Sequence, residues 1–426
     1  MQFFLTFFTK LTSSVSRSLK LGHGSTWPGQ IALNLNPGII KDILKNSDCK
    51  IIIIAGTNGK TTTAKMLETI LNSSGQRTFH NESGANLLNG IAASIILNTS
   101  PSGKLNMDYG VFEVDEASLP LVLDELTPDY LILLNLFRDQ LDRYGEINIL
   151  TEKWRQALNK LGSKTTLILN ADDPQIAYFD EFTKTKSKFF GLDETSKTEK
   201  SDAADSTYCP RCQTKLLFSG KIFSHLGHWK CQKCGLVRPK TDLATLSRYP
   251  LAGTYNKYNT LAAVLTATEL GISQEDSLLY LQDFKPAFGR QEEITFRGRK
   301  VKLFLSKNPT SFNQSLATIM EEKPASLLFV LNDRIPDGRD VSWIWDTEIE
   351  NYDFKNTSLF ASGDRVYDMA VRLKYATNQN TKAYEGLNNA LLAALRPLED
   401  NQTLYVLPTY SAMLEVRNLL QGKKIL

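Results

Sequence analysis

Charge of one sign is scarce in this chain: 49 Lys and Arg stand against 46 Asp and Glu over 426 residues, a net of +3. So small an excess on so long a chain gives no reason to expect nucleic acid or an anionic membrane as the main partner. Cysteine is scarce too. The five present are Cys49, Cys209, Cys212, Cys231 and Cys234, of which four form two tight pairs and one is left over. A secreted disulfide framework would scatter its cysteines more widely, so the pattern points to a metal site in a reducing compartment, the cytoplasm. Internal repeats and long low-complexity segments are absent. The apolar start, MQFFLTFFTKLTSSVSRSLKL, is interrupted by Thr6, Thr9 and Lys10, and its apolar run falls far short of the ~20 residues that span a bilayer. Its basic residues follow the apolar ones, whereas a secretory signal places them before. Two readings of this start stand: an amphipathic helix packed on the protein, or a weak contact with the inner membrane surface.

What is present is an ordinary globular composition, 42% hydrophobic and 22% charged. The length exceeds one comfortable hydrophobic core, so two or three domains are expected. From Lys50, short β-branched runs alternate with helical stretches: IIIIAG (51–56), VFEVDE (111–116), LILLNLF (131–137) and TLILNADDP (166–174). Continuous apolar runs bounded by polar turns read as buried parallel strands, and the alternation implies an α/β domain. The pattern breaks at the polar stretch SKTEKSDAADSTYCPRC and resumes near Tyr249 with a loop and a helix, PLAGTYNKYNTLAAVLTATELG. A second α/β pattern runs from about Val301 through VKLFLS, SLLFVLND, SLFASG and TLYVLPTY, with a boundary near 294–300. The expected division is an N-terminal helical segment (1–46), a central domain (47–297) and a C-terminal Rossmann-like α/β domain (298–426).

The strongest local signal is IIIIAGTNGKTTT. A buried strand ends at Gly56, the chain turns through Thr57, Asn58 and Gly59, and Lys60, Thr61 and Thr62 open a helix. Glycines let backbone N–H groups approach phosphate oxygens, and the helix N-terminus adds partial positive charge. Lys60 then reaches the β- and γ-phosphates of a nucleotide, and the Thr61 hydroxyl holds Mg²⁺. The general phosphate-loop pattern asks for a glycine five residues before Gly59, where Ile54 stands.

Cys209-Pro-Arg-Cys212 and Cys231-Gln-Lys-Cys234 are separated by 18 residues, the spacing of a four-thiolate zinc ribbon. Each pair forms a knuckle aiming two thiolates at one Zn²⁺. His225 and His228 lie between the pairs, but four thiolates already fill a tetrahedral shell, which leaves the histidines as supporting or surface groups. Such a closed site is structural, and the ribbon (about 205–240) reads as an insertion in the central domain.

The shortened loop GTNGKTTT resembles that of the Mur ligases and folylpolyglutamate synthases. Other stretches agree with them in order: VFEVDEAS, LNLFRDQLDRYGE, LNADDP, TYNKYNTLAA and GRQE (289–292). The resemblance implies ATP as cofactor and activation of a carboxylate as an acyl phosphate, which a nitrogen nucleophile attacks. It also implies that Glu113 binds Mg²⁺, that Asn256 and Asn259 lie at the adenine site, and that Arg290 closes the central domain. Two departures point to altered chemistry or a single metal. Gln140 stands at the usual histidine, and no lysine near 150–156 aligns with the carbamylated lysine of many Mur ligases, Lys153 being nearest.

The ribbon insertion, LSKNPTSFNQSL and LNDRIPDGRDVSWIWD narrow the resemblance to the MurT family, the synthetase subunits of lipid II isoglutaminyl synthase. It implies a heterodimer with a GatD-like glutaminase and amidation of the α-carboxylate of D-glutamate in the lipid II stem peptide. It further implies that Asp340, the second aspartate of DGRD, completes the glutaminase's Cys–His pair. A partner is consistent with the residues: four cysteines are committed to metal and Cys49 has no nearby histidine, so this chain lacks a nucleophile–base pair for releasing ammonia. Asp340 capping a turn before SWIWD is the alternative, and Asp333 and Asp337 compete for any role in the loop. A self-sufficient Mur or folate-type amino-acid ligase and a non-catalytic ribbon module on a nucleotide fold are the competing functions. Gln140 and the C-terminal sequence count against the first, and the intact Lys60, Thr61 and Glu113 against the second.

Overall fold

The computed structural model describes residues 26–81, 84–100, 103–137, 147–194 and 207–422. The apolar start, Gln140 and most of the polar stretch before the cysteines lie outside the described residues.

The first sheet contains β1 (Lys50–Ala55), β2 (Thr78–His80), β3 (Tyr109–Val114), β4 (Tyr130–Leu133), β5 (Thr166–Asn170) and β6 (Lys186–Phe190). Their order is β2-β3-β1-β4-β5-β6 and every pairing is parallel. The isoleucine run explains itself at the centre of this sheet. Successive side chains of a strand face opposite ways, so Ile51, Ile53 and Ala55 enter one core while Ile52 and Ile54 enter the other. Helices Leu88–Asn98, Leu119–Glu125 and Ile147–Leu158 supply the first core; helices Lys60–Ser73 and Thr254–Glu269 supply the second. Both faces are covered, as a parallel sheet requires.

β4 is shorter than LILLNLF suggests. After Leu134 donates to the Ala55 carbonyl, residues 135–137 leave the sheet and hydrogen-bond to the loop behind β1, with Thr57 donating to the Asn135 carbonyl at 3.0 Å. β2 and β6 were not singled out by the pattern. Both are edge strands, and β2 has only three residues, too few to show a period.

A two-stranded antiparallel hairpin, β7 (Leu217–Phe223) and β8 (Leu226–Lys230), carries the cysteine pairs at its open end. It is fixed to the end of β5: Trp229 Nε1 donates to the Ala171 carbonyl at 3.1 Å, and the Gly227 amide to that of Asp172 at 3.1 Å.

The second sheet contains β9 (Arg290–Phe296), β10 (Arg299–Phe304), β11 (Ser326–Val330), β12 (Ser358–Ser362), β13 (Lys382–Ala383) and β14 (Thr403–Pro408), in the order β13-β12-β11-β14-β10-β9. Only β9 runs antiparallel to its neighbour. The polar residues Arg297 and Gly298 are the two-residue turn of the β9–β10 hairpin, both at positive φ, +50° and +75°. That geometry matches the right-handed twist of the strands it joins. The second sheet therefore begins at Arg290, ahead of the 294–300 stretch where the sequence pattern changes.

Trp154 anchors the first core. Fully buried beside Phe179, it donates Nε1 to the Glu116 carbonyl at 2.8 Å. Replacing Trp154 by alanine leaves a large cavity and an unpaired carbonyl, and should cost about 3–5 kcal/mol of stability in urea unfolding. A loss below ~1 kcal/mol would place the tryptophan outside the cooperative core.

Candidate functional site

The turn after β1 works only with glycine at its two ends. Gly56 has φ of +141°, and a Cβ there would lie 3.0 Å from the backbone N and O of Asn135. Gly59 caps the Lys60–Ser73 helix at φ +96°, where a Cβ would stand 2.2 Å from Asn259 Oδ1. Between them the loop is braced from behind. Asn58 N donates to Asn135 Oδ1 at 2.9 Å, and Asn135 Nδ2 donates back to the Asn58 carbonyl at 3.0 Å. Thr57 Oγ1 bonds both the amide and the carbonyl of Phe137. Asn135 was legible only as part of LNLFRDQ; its role depends on β4 lying beside β1.

Lys60 and Thr61 open the helix with their side chains buried. Lys60 Nζ donates to the Gly56 carbonyl at 2.5 Å, to that of Thr57 at 3.3 Å and to Glu116 Oε2 at 3.0 Å. Glu116 lies in the VFEVDEAS run, where only Glu113 drew attention. Thr61 Oγ1 donates to Glu113 Oε2 at 2.6 Å. Parallel pairing of β1 with β3 sets this contact, because Glu113 is in register with Ile54 at the end of the strand. Asn81 holds the same residue by its backbone, accepting from the Glu113 amide and donating to its carbonyl, each at 2.9 Å. A hydroxyl and a carboxylate converging at a helix N-terminus are hard oxygen donors of the kind Mg²⁺ takes, usually with phosphate oxygens and water completing its octahedron.

In front of the loop lies an open cleft, lined by residues from the loop, from the Thr254–Glu269 helix and from the second sheet. Asn58, Gly59 and Thr62 line it where the loop enters the helix, Asn256 and Asn259 along the Thr254–Glu269 helix, and half-buried Arg290 at the start of the second sheet. Three residues apart on one helix face, the two asparagines touch: Asn259 Nδ2 donates to Asn256 Oδ1 at 3.1 Å, and Asn256 Nδ2 to the Ala252 carbonyl at 2.7 Å. The second sheet's Pro309–Glu321 helix closes the opposite side, its cap residue Asn308 lying 3.4 Å from Asn58 Oδ1. Lys153 does not line the cleft; it is exposed on the Ile147–Leu158 helix.

The four paired cysteines converge. Their Sγ atoms all lie within 4.8 Å of one another, with Cys209–Cys234 and Cys212–Cys231 each at 3.5 Å. A disulfide would bring two sulfurs to about 2.05 Å, whereas four thiolates ~2.3 Å from a tetrahedral ion stand about 3.8 Å apart. The cluster fits a metal. Burial pushes the Cys209 thiol up to about 12, while the Thr214 hydroxyl and amide lower Cys212 to about 6. Neither histidine joins it. His228 Nε2 meets the Leu192 carbonyl at 2.9 Å, and His225 is a fully buried group 3.2 Å from Asp173 Oδ2, not a surface one.

Cys49 is buried beside β1, and burial, with the charges of Asp129 and Asp108, pushes its thiol up to about 12. A nucleophile needs the thiolate, which such a group does not supply at neutral pH. The DGRD loop separates its three aspartates. Asp333 pairs with Arg365 at 3.2 Å, and Asp337 is buried, accepting from the amide and hydroxyl of Ser411. Asp340 is exposed and caps its own turn, accepting from Ser342 N at 2.8 Å and Ser342 Oγ at 2.9 Å. Those two bonds hold its carboxyl below the usual carboxylate range. Asp340 is not among the cleft residues.

Comparison with known proteins agrees with this geometry. A Mur ligase middle domain profile matches residues 54–267, and a MurT ligase C-terminal profile matches 305–413. The chain is 34% identical, over 95% of its length and 94% of the relative's, to the MurT subunit of lipid II isoglutaminyl synthase (glutamine-hydrolyzing) from Streptococcus pneumoniae strain R6. It is 32% identical to the protein of the same description from Staphylococcus aureus strain COL, over 86% of each chain. Among solved structures, a pseudomurein peptide ligase type C from Methanothermus fervidus superposes with a TM-score of 0.65 at 21% identity, covering 90% of this chain and 81% of that one. At that identity the likeness establishes the fold.

The cysteine cluster makes its own test. Elemental analysis should find one thiophilic divalent metal per chain, and Cys231→Ser should lower metal content and melting temperature together. A variant that loses the metal yet melts like the parent would separate the cluster from the folding unit.

Proposed function

The chain belongs to the MurT family of Mur ligase-like synthetase subunits, and from that membership we propose that it amidates the α-carboxylate of D-glutamate in the lipid II stem peptide at the expense of ATP. The observation that carries the proposal is the pairing of Lys60 with Glu116 and of Thr61 with Glu113 at the head of the helix whose preceding residues, Asn58 and Gly59, line the cleft. Backbone N–H groups of Gly59, Lys60 and Thr61 at the helix N-terminus cradle the phosphates, the Thr57 and Asn58 amides being held by Asn135, and Lys60 leaves Glu116 to neutralise charge on the transferring phosphoryl group. Thr61 and Glu113 would hold Mg²⁺, which would offset the negative charge of the phosphates. Asn256 and Asn259 meet the adenine, and Arg290 closes the cleft from the second sheet. The γ-phosphoryl group passes to the substrate carboxylate and ADP leaves. Ammonia then attacks the acyl carbon and inorganic phosphate departs, giving D-isoglutamine.

Ammonia comes from a partner, a GatD-like glutaminase bound as a heterodimer. This chain's contribution there is Asp340, whose exposed, charged carboxylate orients the partner's catalytic histidine. The ion in the cysteine cluster is Zn²⁺, held structurally by Cys209, Cys212, Cys231 and Cys234. The chain divides into an N-terminal segment (to residue 46), the ATP-binding unit (from 47, with the ribbon inserted at about 205–240) and the unit carrying DGRD, which takes in the β9–β10 hairpin and so starts at Arg290, ahead of residue 298. No helix among the described residues is long and apolar enough to cross a membrane; the lipid-linked substrate is met at the inner membrane face.

The direct test is amidation of lipid II by the chain with its glutaminase, supplied with ATP and glutamine. Product formed without ATP, or ATP turnover driven by an added amino acid with no partner present, would replace the proposal by another ligase chemistry. Lys60→Ala should lower the amidation rate about a hundredfold or more while the fold persists by circular dichroism. Near-parent activity would remove Lys60 from the reaction. For Asp340→Asn, glutamine-driven amidation should fall by up to ~10⁴-fold with complex formation intact. High free ammonia should restore product, since the synthetase half is undamaged; failure of that rescue would assign Asp340 to phosphorylation or to the fold.

A further inference from the structure

The ribbon hairpin reaches into the nucleotide cleft. β7 and β8 carry the cysteine cluster at one end and, at the other, the turn Phe223–Leu226, where Phe223 and Leu226 are among the residues that line the cleft. The strand register shifts between Lys221 and Phe223, an irregularity that re-aims the side chain following it. Phe223 stacks on Phe137, centroids 5.9 Å apart and planes at 22°, and meets Tyr258 edge-on at 5.9 Å. Phe137 belongs to the segment that braces the phosphate loop, so the ring is set against that loop's support.

The tip is locked into that position. His225 Nε2 lies 3.2 Å from Asp173 Oδ2, which also accepts from the Leu136 amide at 2.9 Å. Asp172 next door accepts from Arg238 Nε at 2.5 Å and from the Tyr258 hydroxyl at 2.6 Å, joining the chain after the ribbon to the Thr254–Glu269 helix. The open end is tied to the central domain by the Trp229 indole and by an Arg211–Glu181 ion pair, over a small core. Its core is Ala177, Cys209, Leu216, Trp229 and Cys231, and a lone two-stranded hairpin is marginal in water. A metal ion tying four thiolates together supplies the stability that so small a core lacks.

We infer that the turn of the ribbon hairpin, through Phe223 and Leu226, is a wall of the nucleotide-base site, so that binding of metal at the cysteines and of a purine nucleoside triphosphate in the cleft are thermodynamically linked. The inference rests on the reading of the cleft as an ATP site. An apolar ring and a leucine give a flat base a surface to pack on, while the Gly56–Thr61 loop takes the phosphates. Loss of the metal releases the hairpin's open end, loosens the turn and removes the base wall while the phosphate loop remains.

Calorimetry on the full chain at fixed Mg²⁺ tests this with two probes, a non-hydrolysable ATP analogue and inorganic tripolyphosphate. Phe223→Ala, at full metal content, should bind the analogue about tenfold or more weakly and tripolyphosphate as the parent does. Parent protein stripped with a zinc-selective chelator should show the same selective loss, restored by Zn²⁺. Leu226→Ala provides a second reading should Phe223→Ala fold poorly. If the parent binds the analogue and neither variant nor metal removal weakens it, the linkage is overturned and the nucleotide site stands. If the parent binds neither probe, the ATP reading itself fails.

Discussion

Everything at the active end of this molecule depends on the backing of one loop. A tight turn between a strand and a helix has too few residues to satisfy its own backbone groups and must be held from outside. Here the reciprocal pair between Asn58 and Asn135, together with Thr57 gripping both polar atoms of the Phe137 backbone, holds the loop from the rear. The brace exists because β4 lies beside β1 and because the chain leaves the sheet right after Leu134. Shortening β4 is thus what frees residues 135–137 to do this work. Glu113 arrives by the same logic from the other neighbour, β3, so three parallel strands in register assemble the loop, its brace and its carboxylate.

Much of this could be read from the sequence, for identifiable reasons. The IIII run announced a strand buried on both faces, because nothing else tolerates four adjacent isoleucines facing two ways. GTNGKTTT revealed its loop because two glycines three residues apart lead straight into a lysine and three threonines, and CPRC with CQKC revealed a four-cysteine cluster through spacing alone. What stayed hidden was set by tertiary register. Asn135 and Glu116 are an ordinary asparagine and glutamate until neighbouring strands bring them to Asn58 and Lys60. His225 read as a supporting or surface group because nothing local shows that Asp173 waits for it inside the protein. The turn at Arg297 and Gly298 looked like a seam between units, since a tight hairpin and a linker share the same polar composition.

The ribbon and the DGRD loop illustrate two ways of placing function outside the sheet. The ribbon extends inward: its cysteines sit at the far end of a hairpin whose turn meets the cleft. The DGRD loop extends outward. Asp337 is spent on fixing the loop to the start of the Tyr410–Gln421 helix through Ser411, and Asp333 is spent on Arg365. Asp340 is left at the surface, bonded only to the neighbouring Ser342 among the contacts described. Burial of the first aspartate makes possible the exposure of the last.

The resting partners of Lys60 give the loop a form of selectivity. Its ammonium is already coordinated by two carbonyls and by Glu116, so an arriving anion must outbid an existing ion pair rather than meet a bare charge. Glu116 is itself fixed, its carbonyl held by the buried Trp154 indole. A lone phosphate or sulfate, offering one group and no attached base, gains little from that exchange. On the function proposed above, a nucleotide engages the amides at the helix N-terminus and the far wall of the cleft together, and makes the exchange favourable. On the same reading, small anions meet in Glu116 an internal competitor for the lysine carried on the same polypeptide.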